Sequence, residues 1–254
     1  MTGGFGVDIG GSGVKGAPVD LDSAALTGDR VRLPTPQPST PDAVVAVVAE
    51  IVRSAGWSGP LGVTVPAVVT HGMTRTAANI DRSWIDADAG RLLREATGCE
   101  VTVVNDADAA GYAEARFGAA QGHRGIVLVT TLGTGIGTAL IYHGRLVPNT
   151  ELGHLEINGE DAELRASDAA RDHEGLSWEK WAKRLERYYR TLERLFWPDL
   201  FVVGGGVSKK ADKFLPLLDL QTPIVPAALR NEAGIVGAAL LAAAREETPV
   251  PLAS

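Results

Sequence analysis

The chain is nearly devoid of cysteine. Cys99 is the only one among 254 residues, so there is no disulfide within the chain and no cysteine-rich zinc site. A basic surplus is lacking too: 24 lysines and arginines face 31 aspartates and glutamates, a formal net charge of −7. That balance argues against nucleic acid as a partner. It leaves room for an anionic substrate, because a few lysines can dominate the field of a cleft. No apolar run approaches a membrane span, and no basic segment leads into a long apolar stretch at the N-terminus. The expectation is therefore no membrane, no signal peptide and a cytoplasmic chain. Two nucleotide motifs are missing as well. No glycine cluster fits G-x-x-x-x-G-K-[ST], and no G-x-G-x-x-G opens a helix with an acid further on. These absences exclude a P-loop and disfavour a dinucleotide site. The rest is an ordinary globular balance, 45% hydrophobic and 22% charged, enough for a sizeable core in one large domain or two small ones.

What the chain does have is clustered glycine. The run Phe5-Gly6-Val7-Asp8-Ile9 leads into Gly10, Gly11, Ser12 and Gly13, and a second apolar run follows through Val14, Lys15, Gly16 and Ala17. This pattern predicts a β-hairpin whose turn is almost bare of side chains. Backbone N–H groups in such a turn can approach an anion closely. Asp8 can hold a metal ion there, directly or through water, and Lys15 can place a positive charge beside it. The same pattern returns from Val127 to Leu140, with Gly133, Thr134, Gly135 and Gly137 at its turn. Two such hairpins predict two related α/β halves facing one another across a cleft. A third cluster, Gly204-Gly205-Gly206, follows the strand-like Leu200–Val203. Ser208 is expected to N-cap a helix beyond it, a favourable place for phosphate.

Between these landmarks the predicted elements alternate. A third strand is expected over Ala24–Leu33. The proline-rich connection 34–41 follows, and then a helix from Thr40 with Pro41 in its first position. Strands are expected at Leu61–Val65 and Val101–Val104, and helices at Ala87–Thr97, closed by Gly98, and at Ala107–Phe117. Asn105 and Asp106 fall at the C-terminal end of a strand, where α/β sheets bind ligands. Strands near 126–131 and 136–142 come next, then a polar and irregular stretch over 158–176. Ser177 caps a long helix to about Phe196, with Trp178, Trp181, Leu185, Tyr188, Leu192 and Leu195 on one face. A short strand at Ile224-Val225 and a final helix from Asn231 to Ala244 complete the pattern.

Asp8–Gly16, Asn105-Asp106, Leu132–Gly137, Glu151-Leu152-Gly153-His154 and Gly204-Gly205-Gly206-Val207-Ser208 together resemble the ROK (repressor, open reading frame, kinase) family of sugar kinases. The resemblance runs in order from about residue 5 to about residue 240. It implies a two-domain α/β actin-like/hexokinase (ribonuclease H-like) ATPase fold with a cleft between the domains. A small domain would comprise 1–105 plus the C-terminal helix 236–254, and a large one 106–235. It implies transfer of a phosphoryl group from inorganic polyphosphate or ATP to the 6-hydroxyl of glucose, with Mg²⁺, by a homodimer. Family regulators carry a helix-turn-helix segment ahead of the first hairpin; only Met1–Gly4 stand there, so an enzyme is expected.

The same resemblance assigns roles. Asp106 is the catalytic base. Asn79, Asn105, Asp106, Glu151 and His154 bind the sugar. Asp8, Gly10, Gly11, Ser12, Gly13, Lys15, Thr131, Gly133, Thr134, Gly135, Gly205, Gly206, Lys209 and Lys210 meet phosphate, the amides of Gly133 and Gly135 among them. Asp8 is also the metal residue. A further glutamate usually completes the sugar site, and Glu156, Glu160 and Glu163 all qualify. Many family members have a cysteine-rich zinc motif after E-x-G-H; this chain has Leu155–Glu163 without cysteine, so no zinc is expected.

Overall fold

The computed structural model describes residues 3–247. The chain divides into two compact units. Residues up to Ala113 and those from Glu232 onward form one; Glu114–Asn231 form the other. The expected boundaries at 105 and 236 thus move to 113 and 232, and the first unit is not the smaller of the two. The first turns of the helix after Asn105 stay with the sheet that delivers them.

In the first unit, β1 (Gly3–Gly10) and β2 (Gly13–Asp20) form an antiparallel hairpin with Gly10 opposite Gly13. Phe5, Val7 and Ile9 alternate into the core from β1, the period-two pattern of a strand. β3 (Val31–Leu33) is shorter than expected. The Asp20 carboxylate accepts N–H bonds from Asp22 and Ser23, and Ala24 takes a φ of 60°. The chain turns there, and Leu26 makes only an isolated bridge to Val19 before β3. α1 (Pro41–Ser54) starts at the proline and buries Val44, Val45, Val48, Ile51 and Val52. β4 (Leu61–Val65) runs parallel to β1, and β5 (Val69–Thr70) and β6 (Met73–Thr74) make a small hairpin. α2 (Ala89–Thr97) begins two residues later than expected, because the Asp88 side chain caps it on the Arg91 N–H; Gly98 ends it at a φ of 71°. β7 (Val101–Asn105) lies parallel to β4, and α3 (Asp106–Phe117) follows at once. The sheet order is β3-β2-β1-β4-β7.

The second unit repeats this plan. β8 (Ile126–Leu132), β9 (Ile136–Tyr142) and β10 (Arg145–Val147) form an antiparallel meander. β11 (Glu156–Ile157) and β12 (Glu160–Asp161) pair as a short hairpin, then come α4 (Ala162–Ala166) and α5 (Asp168–His173). The stretch expected to be irregular is therefore mostly helical; the Ser167 hydroxyl caps α5 on Ala170. α6 (Trp178–Phe196), capped by Ser177, buries Trp181, Leu185, Tyr188 and Leu192 as expected, with Tyr189 beside them. Leu195 is exposed instead, because Phe196 takes the inward position in the last turn. β13 (Leu200–Gly204) and β14 (Ile224–Pro226) add in parallel, giving the order β10-β9-β8-β13-β14.

The chain then returns to the first unit as α7 (Ala233–Glu247), which packs on β1 and β4. The approach is so close that a Cβ on Gly62 would stand 1.9 Å from the Ala238 carbonyl oxygen. The tail of the expected helix, 248–254, lies outside the described residues. Among the described residues no helix is long and apolar enough to cross a membrane.

Candidate active site

In the first unit the strand ends carry the polar groups. The Asp8 carboxylate is held from two sides. The Lys15 ammonium is 3.3 Å from one oxygen, and the Thr64 hydroxyl donates to the other at 2.9 Å. Lys15 is opposite Asp8 in the hairpin register, so its charge is already engaged by the carboxylate. Arg32, opposite Lys15 on β3, donates to the Ser12 carbonyl at 3.3 Å. It lays a guanidinium against the glycine turn. Asn79, at a φ of 59°, brings its backbone beside Gly11. Its segment is anchored by Trp84, buried with its indole N–H on the Ser39 carbonyl at 2.8 Å.

At the end of β7, Asn105 is buried and its amide is engaged through both the oxygen and the nitrogen. Its oxygen accepts from the N–H groups of Ala107 (2.8 Å) and Asp108 (3.1 Å), and its nitrogen donates to the Ala67 carbonyl at 3.1 Å. Asn105, not Asp106, is thus the N-cap of α3. The capping that an acid after a strand often provides is supplied by its neighbour. One Asp106 oxygen still accepts the Ala107 N–H at 2.9 Å, which fixes its rotamer at the head of the helix.

In the second unit a 3-10 turn, Leu152–His154, is pinned by the Leu152 N–H on the Thr138 hydroxyl at 3.1 Å. His154 stands among three carboxylates. Its Nδ1 is 3.2 Å from Asp161 and 3.8 Å from Glu163, and its Nε2 is 4.0 Å from Glu151. Glu163 also accepts the Ile136 N–H at 3.1 Å. A Cβ on Gly135 would lie 2.3 Å from that same carboxylate, so glycine lets it reach the turn. Partial burial pushes the Glu151 carboxyl above the usual carboxylate range; His154 opposes the shift and Glu163 adds to it. Of the three candidate glutamates, only Glu163 joins this cluster. Glu156 is exposed, and Glu160 faces Arg165 at 3.6 Å.

Two expectations for phosphate change here. The Gly133 N–H donates to the Gly135 carbonyl within the turn at 3.0 Å, so it is not available to a ligand. Ser208 does not cap a helix. It lies inside the 3-10 segment Gly206–Lys213, and its hydroxyl donates back to the Gly205 carbonyl at 2.8 Å. Gly205 itself occupies the cap position, at a φ of 80°. Lys210 and Lys213 turn toward the Trp178 ring, at 5.9 and 5.8 Å from its centroid, and the Arg171 guanidinium sits 4.2 Å from it.

Residues 4–174 match the ROK family. The polyphosphate glucokinase of Mycobacterium tuberculosis is 55% identical over 242 residues, which cover 95% of this chain and 91% of that protein. This chain belongs to the ROK family. The solved inorganic polyphosphate/ATP-glucomannokinase of Arthrobacter sp. strain KM is 53% identical with a TM-score of 0.92, and the match covers 96% of this chain and 100% of that one. A ROK glucokinase from Streptomyces griseus, at 24% identity, has the same fold with a TM-score of 0.82 over 96% of this chain and 100% of that one.

Against that family pattern, the expected residues fall into two groups. Asp8, Gly10–Gly13, Lys15, Asn79, Asn105 and Asp106 belong to the first unit. Thr131, Gly133, Thr134, Gly135, Glu151, His154, Gly205, Gly206, Lys209 and Lys210 belong to the second. Arg32, Thr64 and Asp161 join these groups without having been expected. Arg32 could have been found from the hairpin: once β3 is paired with β2, the residue opposite Lys15 is fixed.

Proposed function

We propose that the protein is a glucokinase that moves a phosphoryl group from inorganic polyphosphate or ATP to the 6-hydroxyl of glucose. The observation that carries this is Asp106 standing at a strand end with Asn105 doing the capping in its place. The similarity to proteins named for polyphosphate and glucose supports the donor and acceptor. Phosphoryl transfer asks little covalent chemistry of the protein; positioning and charge neutralisation do most of the work. Asp106 takes the hydroxyl proton as general base. Glu151 and Glu163 accept hydrogen bonds from sugar hydroxyls, with His154 between them; Asn79 is a further candidate contact to the sugar. Asn105 acts by fixing the start of α3, where Asp106 stands, since its amide oxygen already accepts two N–H groups.

Thr134 and the Gly135 amide meet the transferred phosphate, and Gly205 and Gly206 its distal neighbours. Lys209 and Lys210 start a cationic track, to which Lys213 adds through its place beside Trp178. Mg²⁺ takes oxygen ligands and usually retains water, relying on one or two carboxylates plus substrate phosphates. Asp8, with the Thr64 hydroxyl beside it, fits that mode. Among the described residues no three acidic, imidazole or thiol groups converge on a metal site, so donor phosphates and water would supply most of the coordination. When bound, the ion neutralises charge on the transferring group. A homodimer in the cytoplasm completes the proposal, and sedimentation of the purified protein checks its stoichiometry.

The direct test is Asp106→Asn, which keeps the shape and removes the proton acceptor. Turnover should fall by roughly 10²–10⁴-fold, the range for loss of a general base, with glucose still bound. Near-normal kcat in the folded variant would contradict the assignment.

A further inference from the structure

A cavity of about 260 Å³ opens in the second unit, beside the β11–β12 hairpin and between α4 and α6. Its lining is cationic: Arg165, Lys183, Arg184 and Arg187 surround it, against one acid, Glu160. Two of these charges are already answered. Arg165 is 3.6 Å from Glu160, and Arg184 is 2.6 Å from Glu174. Lys183 and Arg187 have no ion-pair partner among the described residues, and Glu186, between them in sequence, pairs with Arg190 at 3.0 Å. Two like charges four residues apart on one helix face repel each other. An anion in the cavity would turn that repulsion into attraction.

Tyr188 adds an independent sign. It lines the same cavity, its side chain is 1% exposed, and its hydroxyl has no hydrogen-bond partner. A buried polar atom without a partner is costly and calls for an explanation. Burial pushes the phenol well above its ordinary range, so the group stays a neutral O–H donor. The cavity is smaller than the roughly 300–1,000 Å³ usual for drug-sized ligands, which suits a small anion. Glu151, His154 and Glu163 are not among the residues that line it.

We propose that this cavity binds phosphate groups, with Lys183 and Arg187 supplying charge and the Tyr188 hydroxyl a hydrogen bond, separately from the acid–histidine cluster. The phosphate has two sources of the same chemistry: a distal stretch of a polyphosphate donor, or free inorganic phosphate. The first source rests on the donor reading above; phosphate binding itself does not.

The test titrates inorganic phosphate into the whole protein, with glucose and a non-hydrolysable ATP analogue present to fill the reaction centre, and follows the thermal midpoint. Wild type should gain stability with phosphate. The Lys183→Gln, Arg187→Gln double variant should bind phosphate about three- to tenfold more weakly, as expected for two solvent-reached charges. Tyr188→Phe should also bind more weakly, yet be no less stable than wild type in phosphate-free buffer, because it removes an unsatisfied hydroxyl. No phosphate response in wild type, or a wild-type response in either variant, overturns the proposal. A second arm separates the sources. If the double variant's KM for long polyphosphate rises while its ATP-supported rate is unchanged, the donor's distal stretch occupies the cavity. If only the phosphate response is lost, free phosphate does. Should wild type fail to use polyphosphate at all, the donor reading falls while the phosphate titration still decides the cavity.

Discussion

The two glycine hairpins share a backbone and differ in what they carry. Each has a third antiparallel strand on one side and two parallel strands on the other, β3-β2-β1-β4-β7 in one unit and β10-β9-β8-β13-β14 in the other. The first hairpin carries its own carboxylate, Asp8, between an ammonium and a hydroxyl. The second has no acid on either strand, only the threonines at 130, 131 and 138 and Thr134 in the turn. The acid that reaches it, Glu163, arrives from α4 and rests on the Ile136 N–H. A fixed carboxylate repels a phosphate unless a cation stands between them. The first hairpin therefore suits a metal-bridged phosphate, while the second can meet phosphate directly and lend one edge to a sugar. Topology repeats the frame; side chains divide the labour.

The sharpest break in that comparison is Asp8→Asn. It removes the carboxylate that the second hairpin's strands lack. Mg²⁺ activation should weaken on the order of 10–100-fold, the usual consequence of disturbing a metal's immediate surroundings. A Mg²⁺ dependence identical to wild type would return the first hairpin to the plain role of the second.

Gly135→Ala attacks the second hairpin at the point where Glu163 enters. The added carbon would stand 2.3 Å from the carboxylate, which must move away. Glucose binding should weaken by about 1–3 kcal/mol, the range for a lost partner of a buried polar group. Calorimetry with glucose checks this.

A smaller effect follows from Glu151, whose carboxyl is raised by partial burial. As pH falls through that raised pKa, the group gains a proton and loses an acceptor, so glucose KM should rise at a pH above the ordinary carboxylate range. Glu151→Gln should flatten the profile. The stability sign runs the other way. An acid raised in the folded state subtracts stability once it ionises, so Glu151→Gln should gain on wild type as pH rises through the carboxylate range. An identical glucose profile in both proteins would remove Glu151 from the sugar site.

The smallest change is Lys15→Met. The pair with Asp8 is part-exposed, 28% and 20%, and should contribute less than about 1 kcal/mol to stability. Chemical denaturation measures it.

Both hairpins, α1, α6 and the parallel strands were legible because period and punctuation are local: glycine turns, Pro41 at a first helical position, Ser177 as a cap. Four things were not. The selection of Glu163 over Glu156 and Glu160 depends on β11–β12 folding back before α4, and nothing within nine residues of sequence announces that. The capping role of Asn105 could not be told from a sugar contact, since the same amide serves either. Gly133 looked like a free phosphate donor because its N–H partner is decided by the turn's own geometry. Lys15 reads from sequence as a charge for phosphate, and only the register opposite Asp8 shows that it is already paired.

Transfer of a phosphoryl group from polyphosphate to glucose is read directly as glucose 6-phosphate formation with purified protein, Mg²⁺, glucose and long-chain polyphosphate as the sole donor, beside a parallel reaction on ATP. Product should form from polyphosphate, with salt suppressing that reaction more than the ATP one because a chain of phosphates rests on screened charges. Turnover on ATP with none on polyphosphate, or no phosphorylation of glucose with either donor, would contradict it.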